Sequence, residues 1–65
     1  MVLNVLKIET LLAERGMTKA ELATNSGVSR QSVSTVIRRG TCTPPTAGKL
    51  ARGLGVRVTD ILKEV

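Results

Sequence analysis

Residues 18–39 read TKAELATNSGVSRQSVSTVIRR, and the way this stretch divides decides the fold. Thr18 and Glu21 have the spacing of a capping box, in which each side chain accepts a hydrogen bond from the other residue's backbone amide. Met17 before the cap and Leu22 inside the helix are placed to form a hydrophobic staple. A first helix therefore runs from Thr18 to about Thr24. Gly27 supplies the left-handed backbone that a sharp turn requires. Ser29 N-caps a second helix that runs to about Arg38.

The second helix has two unlike faces. Val33, Val36 and Ile37 fall on one side at helical spacing. Gln31, Ser34, Thr35 and Arg38 repeat at i, i+3, i+4 and i+7 on the other. An amide, two hydroxyls and a guanidinium on one face, with no acid among them, match the donors, acceptors and phosphates that a DNA major groove presents.

The charge distribution points the same way. Net charge is +5 and the pI is about 10.4. No Asp or Glu occurs between Glu21 and Asp60, whereas Arg30, Arg38, Arg39, Lys49, Arg52 and Arg57 all lie in that span. Glu9, Glu14, Glu21, Asp60 and Glu64 stand outside it or bound it. A basic region that coincides with a two-helix motif is the footprint of a polyanionic partner.

These segments carry a family resemblance. Ala23, Gly27, Val33 and Val36 sit at the spacing of a helix-turn-helix, with Ala23 allowing close helix crossing. GMTKAELATNSGVSRQSVSTVIRRG and LARGLGVRVTDIL each resemble a segment of the phage repressor and Cro family of small DNA-binding domains, Xre-like in type. The resemblance covers nearly the whole chain. It implies an all-α domain of five short helices, with the helix at about 29–38 as the recognition helix. Many relatives pair an arginine in the first helix with a glutamate after the recognition helix. Leu12 and Ile37 align with those positions, so an apolar contact is expected instead of an ion pair. Lys19 stands where the family often has glutamine.

The remaining elements follow from local signals. Asn4 is placed to cap a helix from Val5 to about Arg15, with Ile8, Leu11 and Leu12 as its apolar stripe and Leu3 and Ile8 as a staple. Gly16 is its expected left-handed cap, and Met17 is expected to pack back on Leu12. Gly40-Thr-Cys-Thr-Pro-Pro is a loop by composition. Thr43 is expected to cap a fourth helix and Pro44 to occupy its first position. Ala47, Leu50, Ala51 and Leu54 form its stripe, Gly48 and Gly53 interrupt it, and Gly55 ends it. Val58, Ile61, Leu62 and Val65 predict a final short helix, with Lys63 near its C-terminus.

Composition bounds the rest. At 65 residues the chain is expected to be one domain, burying about 60% of its unfolded surface. It has no aromatic residue and no histidine, so the core is aliphatic and the commonest general base and metal ligand is absent. No enzyme activity, cofactor or metal is expected. A single cysteine, Cys42, cannot form an internal disulfide, and it reads as a tolerated loop residue rather than a redox sensor. No apolar run reaches membrane-spanning length, and a cytoplasmic protein is the expectation.

The resemblance and the chemistry together assign roles. Arg30, Gln31 and Thr35 match family positions that face base edges, and Ser34 joins them. Arginine can bridge guanine O6 and N7, and glutamine adenine N6 and N7. Lys19, Ser32, Arg38 and Arg39 are expected to contact phosphates, Lys19 from the first turn of its helix, where the amide dipoles favour an anion. The expected partner is double-stranded DNA carrying a two-fold symmetric operator, bound by a homodimer, with a repressor-like regulatory outcome. Candidate dimer surfaces are the final helix and the Arg38–Pro45 loop. Two other readings stand beside this one. A protein-interaction module, such as an antitoxin or an antirepressor target, would show an exposed apolar patch near Leu3, Val5 or Val65. A single-strand or RNA binder would be expected to carry stacking aromatics, and there are none.

Overall fold

The computed structural model describes residues 1–63, and within them five α-helices follow one another: α1 Val5–Glu14, α2 Lys19–Ser26, α3 Arg30–Arg39, α4 Pro44–Leu54 and α5 Val58–Ile61. Local chemistry accounts for the boundaries. The Asn4 side chain accepts from the Lys7 amide at 3.0 Å and starts α1. Both halves of the Thr18–Glu21 capping box form, each at 3.1 Å, and start α2. Ser29 Oγ accepts from the Ser32 amide at 3.1 Å and starts α3. Gly27 and Gly40 close α2 and α3 in the left-handed region, at φ 72° and 74°. Helix α2 continues two residues past the Thr24 expected from sequence.

One aliphatic core gathers residues from every helix. Ile8, Leu11 and Leu12 come from α1, Leu22 and Ala23 from α2, Val33, Val36 and Ile37 from α3, Ala47, Leu50, Ala51 and Leu54 from α4, and Ile61 from α5. Met17 packs against this core from its edge. Among the described residues no polar or charged residue is buried as a whole, so the core rests on apolar burial, although the Ser26 hydroxyl oxygen itself is out of contact with solvent. Leu12 and Ile37, the two positions expected to replace an ion pair, are both buried in it. The most extensive helix pairing is α2 on α4. At its C-terminal end, Gly53 lets the Ser26 side chain approach the α4 backbone.

Three features differ from the sequence expectation. First, α5 is shorter than predicted: it ends at Ile61, and Leu62 is extended at φ −83°, ψ 143°. Leu62 instead forms an antiparallel bridge with Leu3, which takes Leu62 and Lys63 out of the helix. The predicted placement of Val65 lies outside the described residues. Second, Thr43 occupies the N-cap position of α4 without capping it. Instead of accepting from the Thr46 amide, as the caps of α1, α2 and α3 do from their third residue, the Thr43 hydroxyl pairs with the Thr46 hydroxyl at 3.0 Å. Third, the residues before α1 are ordered by backbone pairing. Val2 bridges Thr41 while Leu3 bridges Leu62, and Leu3 is buried.

Candidate nucleic-acid interface

Helix α3 is held by one face and free on the other. Val33 is fully buried and Val36 and Ile37 nearly so, against the core. Because side chains three and four apart share a helix face, this anchoring turns Arg30, Gln31, Ser34 and Arg38 outward, and all four are exposed. Thr35 is half-buried at the margin. Ser29, the N-cap, donates from its hydroxyl to Ser32 Oγ at 2.8 Å, so the Ser32 hydroxyl keeps its own hydrogen for another partner. Arg38 and Arg39 occupy the last turn, where a cation complements the helix dipole.

The predicted residues fall into two groups. Gln31, Ser32, Thr35 and Arg39 line an open groove of about 610 Å³ beside α3. Arg30, Ser34 and Arg38 are exposed on the same helix but do not line that groove. Lys19 is exposed at the first position of α2, on a separate helix N-terminus.

The other wall of the groove was not predicted. It is made by Thr41, Cys42 and Thr43 from the α3–α4 loop and by Thr46 from the first turn of α4. Three hydroxyls thus face the amide and guanidinium of α3 across the groove. No local spacing in the sequence marks this wall, which forms because the loop folds back beside α3. With no acidic residue from Leu22 to Thr59, no carboxylate in the chain between α2 and α5 offsets these donors and cations.

Cys42 is half-buried in the groove wall. Burial pushes its thiol pKa up, and the nearby Met1 ammonium pulls it partly back. The neutral thiol is favoured, which disfavours a reactive thiolate. Among the described residues there is no group of three or more Cys, Asp or Glu placed to hold a metal, and no helix is long and apolar enough to cross a membrane.

The family model for the helix-turn-helix matches residues 8–61, from the first fully buried position of α1 to the last residue of α5. No significant match was found among curated proteins or among solved structures. The matched span includes both helices of the motif, the turn at Gly27 and the helices that brace them. The chain belongs to the Cro/C1-type, Xre-like helix-turn-helix family, whose members are DNA-binding domains of the transcription-regulator type.

Proposed function

We propose that this domain binds double-stranded DNA sequence-specifically and acts as a repressor-like transcription regulator, with α3 in the major groove and α2 braced across the backbone. The observation that carries the reading is the division of α3. Its valines and isoleucine are sealed in the core, while Arg30, Gln31 and Ser34 are exposed at its N-terminal half with Thr35 beside them. These four read base edges. Lys19, Ser32, Arg38 and Arg39 meet phosphates, which set register and affinity without specifying sequence.

Size supports a two-fold arrangement. The domain measures 29 × 22 × 19 Å. Successive major-groove faces on one side of a duplex are about 34 Å apart. One domain therefore reaches one groove, and a second copy is needed to read the next. A symmetric operator bound by a homodimer follows.

The protein-interaction reading called for an exposed apolar patch near Leu3, Val5 or Val65. Leu3 itself is buried, but Met1, Val2 and Leu6 close to it are exposed at 45%, 54% and 75%, and Val65 lies outside the described residues. That reading stands as the alternative, and the acid-free polar face of α3 favours DNA.

Selection of bound sites from random duplex DNA tests both specificity and symmetry, and a palindrome is the expected product. A salt titration on the selected site should show log affinity falling with log salt by about 0.9 for each phosphate neutralised. No enrichment from the random pool and no binding to any duplex at low salt would overturn the reading.

A further inference from the structure

Residues 1–3 lie outside the matched helix-turn-helix span, yet they form the middle of a three-segment backbone ribbon. On one edge, the Leu3 amide donates to the Gly40 carbonyl at 2.8 Å and the Cys42 amide to the Met1 carbonyl at 3.1 Å. The Met1 nitrogen donates to the Cys42 carbonyl at 2.7 Å. On the other edge, the Asn4 amide donates to the Ile61 carbonyl at 2.8 Å and the Lys63 amide to the Val2 carbonyl at 3.1 Å.

The side chains explain how the ribbon is held. Leu3 is anchored in the core at 3% exposure. Val2 is 54% exposed and Met1 45%, so these two contribute mainly through their backbone. Among the described residues, the Gly40 amide is taken up by the end of α3, through Val36. The other backbone hydrogen bonds of residues 40–42 all go to residues 1–3.

We propose that residues 1–3 are a positioning segment for the nucleic-acid interface: they hold the α3–α4 loop so that Thr41 and Thr43 stand across the groove from Gln31 and Thr35. This rests on the DNA-binding reading above. A short loop with no other backbone partner would have to be ordered when DNA binds, at a cost to affinity. A loop already fixed by the ribbon avoids that cost. Because the loop offers hydroxyls to a backbone strand rather than to base edges, the benefit applies equally to every sequence. The ribbon also links the segment after α5 to the DNA face through only one intervening strand.

The test uses two full-length chains made by chemical synthesis, each with one amide N–H replaced by an ester oxygen and all side chains kept. One ester, at Cys42, removes the bond to Met1 on the loop edge. The other, at Lys63, removes the bond to Val2 on the far edge. Each deletes one hydrogen bond from the same ribbon, so their thermal stabilities should fall comparably. The Cys42 ester should bind the selected site and a scrambled duplex less well by one common factor, about 2- to 10-fold, the range for one net hydrogen bond. Its Leu3 amide, which donates to the Gly40 carbonyl on the same edge, should exchange hydrogen faster in the free protein. The Lys63 ester should match the unmodified chain in affinity and in Leu3 amide exchange. Equal losses in both esters, a change of base preference, or unchanged exchange and affinity in the Cys42 ester would overturn the proposal. Failure of the unmodified chain to bind any duplex would overturn the DNA-binding reading itself and this proposal with it. Normal binding by all three chains would overturn the proposal alone.

Discussion

The hydroxyl oxygen of Ser26 fills the space in which a β-carbon on residue 53 would stand. The Ser26 Cβ and backbone nitrogen lie only 3.1 Å from the same point. Gly53 is thus where the C-terminal end of α2 meets α4, and the Ser26 oxygen is buried there without a hydrogen-bond partner. Gly48, one and a half turns earlier on α4, would place a β-carbon in open space.

The two interruptions of α4 therefore predict opposite outcomes. Gly48→Ala should stabilise the domain by about 0.5–1 kcal/mol, the helix-propensity gain. Gly53→Ala should destabilise it by about 1–3 kcal/mol, because overpacking outweighs the same gain. Ser26→Ala removes an unpaired buried oxygen and should recover part of the Gly53→Ala loss in the double variant. Denaturant unfolding of the four variants checks all of this. Equal effects at positions 48 and 53 would refute the close-approach account.

Cys42 should react slowly. Its pKa is raised, so at any pH below that value the thiolate fraction is smaller than in a free cysteine peptide. Alkylation measured from pH 7 to about 10.5 should be slower than for the peptide at each pH below the plateau, and the rate should still be rising where the peptide's levels off. A rate equal to or above the peptide's would mean that the thiol is activated.

The parts of the fold that were legible from sequence are those governed by short-range chemistry. Thr18 with Glu21, Ser29, Asn4 and Gly27 each act within four residues, and each does in the structure what its spacing implies. The parts that were not legible depend on long-range pairing. Leu62 sits at the right helical spacing after Val58 and Ile61, but its backbone is claimed by Leu3, some sixty residues earlier. Thr43 looks like a cap, but its hydroxyl pairs with the Thr46 hydroxyl rather than with that residue's amide. The site divides the same way. Periodicity identifies the outward face of α3, whereas the facing threonines at 41, 43 and 46 become visible only when the loop is folded back beside that helix.

Ile37 and Leu12 test the alignment behind the missing ion pair. Both are buried in one core, at 9% and 6% exposure. Ile37→Glu should destabilise the fold by about 3–5 kcal/mol, since a lone charge is left without a partner in an apolar site. Adding Leu12→Arg should restore part of that loss if the two side chains meet. Thermal or denaturant unfolding of both single variants and the pair gives the coupling energy. A double variant no more stable than Ile37→Glu would show that these positions do not face each other.

The sharpest prediction separates reading from positioning. Arg30 and Gln31 begin α3 and are exposed, and in the proposed docking they meet base edges. Lys19 begins α2, where its ammonium adds to an amide-rich helix N-terminus, and in the proposed docking it meets only the DNA backbone. Arg30→Ala or Gln31→Ala should cost about 1–3 kcal/mol on the preferred site and relax the choice at one or two base positions. Lys19→Ala should weaken all sequences alike and reduce the salt slope by about 1. All three residues are exposed and carry no core contact, so stability should stay within about 0.5 kcal/mol of the natural chain and the comparison reports binding. Each variant is titrated against the best site, its single-base variants and a scrambled duplex at several salt concentrations. A change of base preference from Lys19→Ala, together with uniform losses from Arg30→Ala and Gln31→Ala, would reverse the assignments of α2 and α3 and rule out this docking geometry.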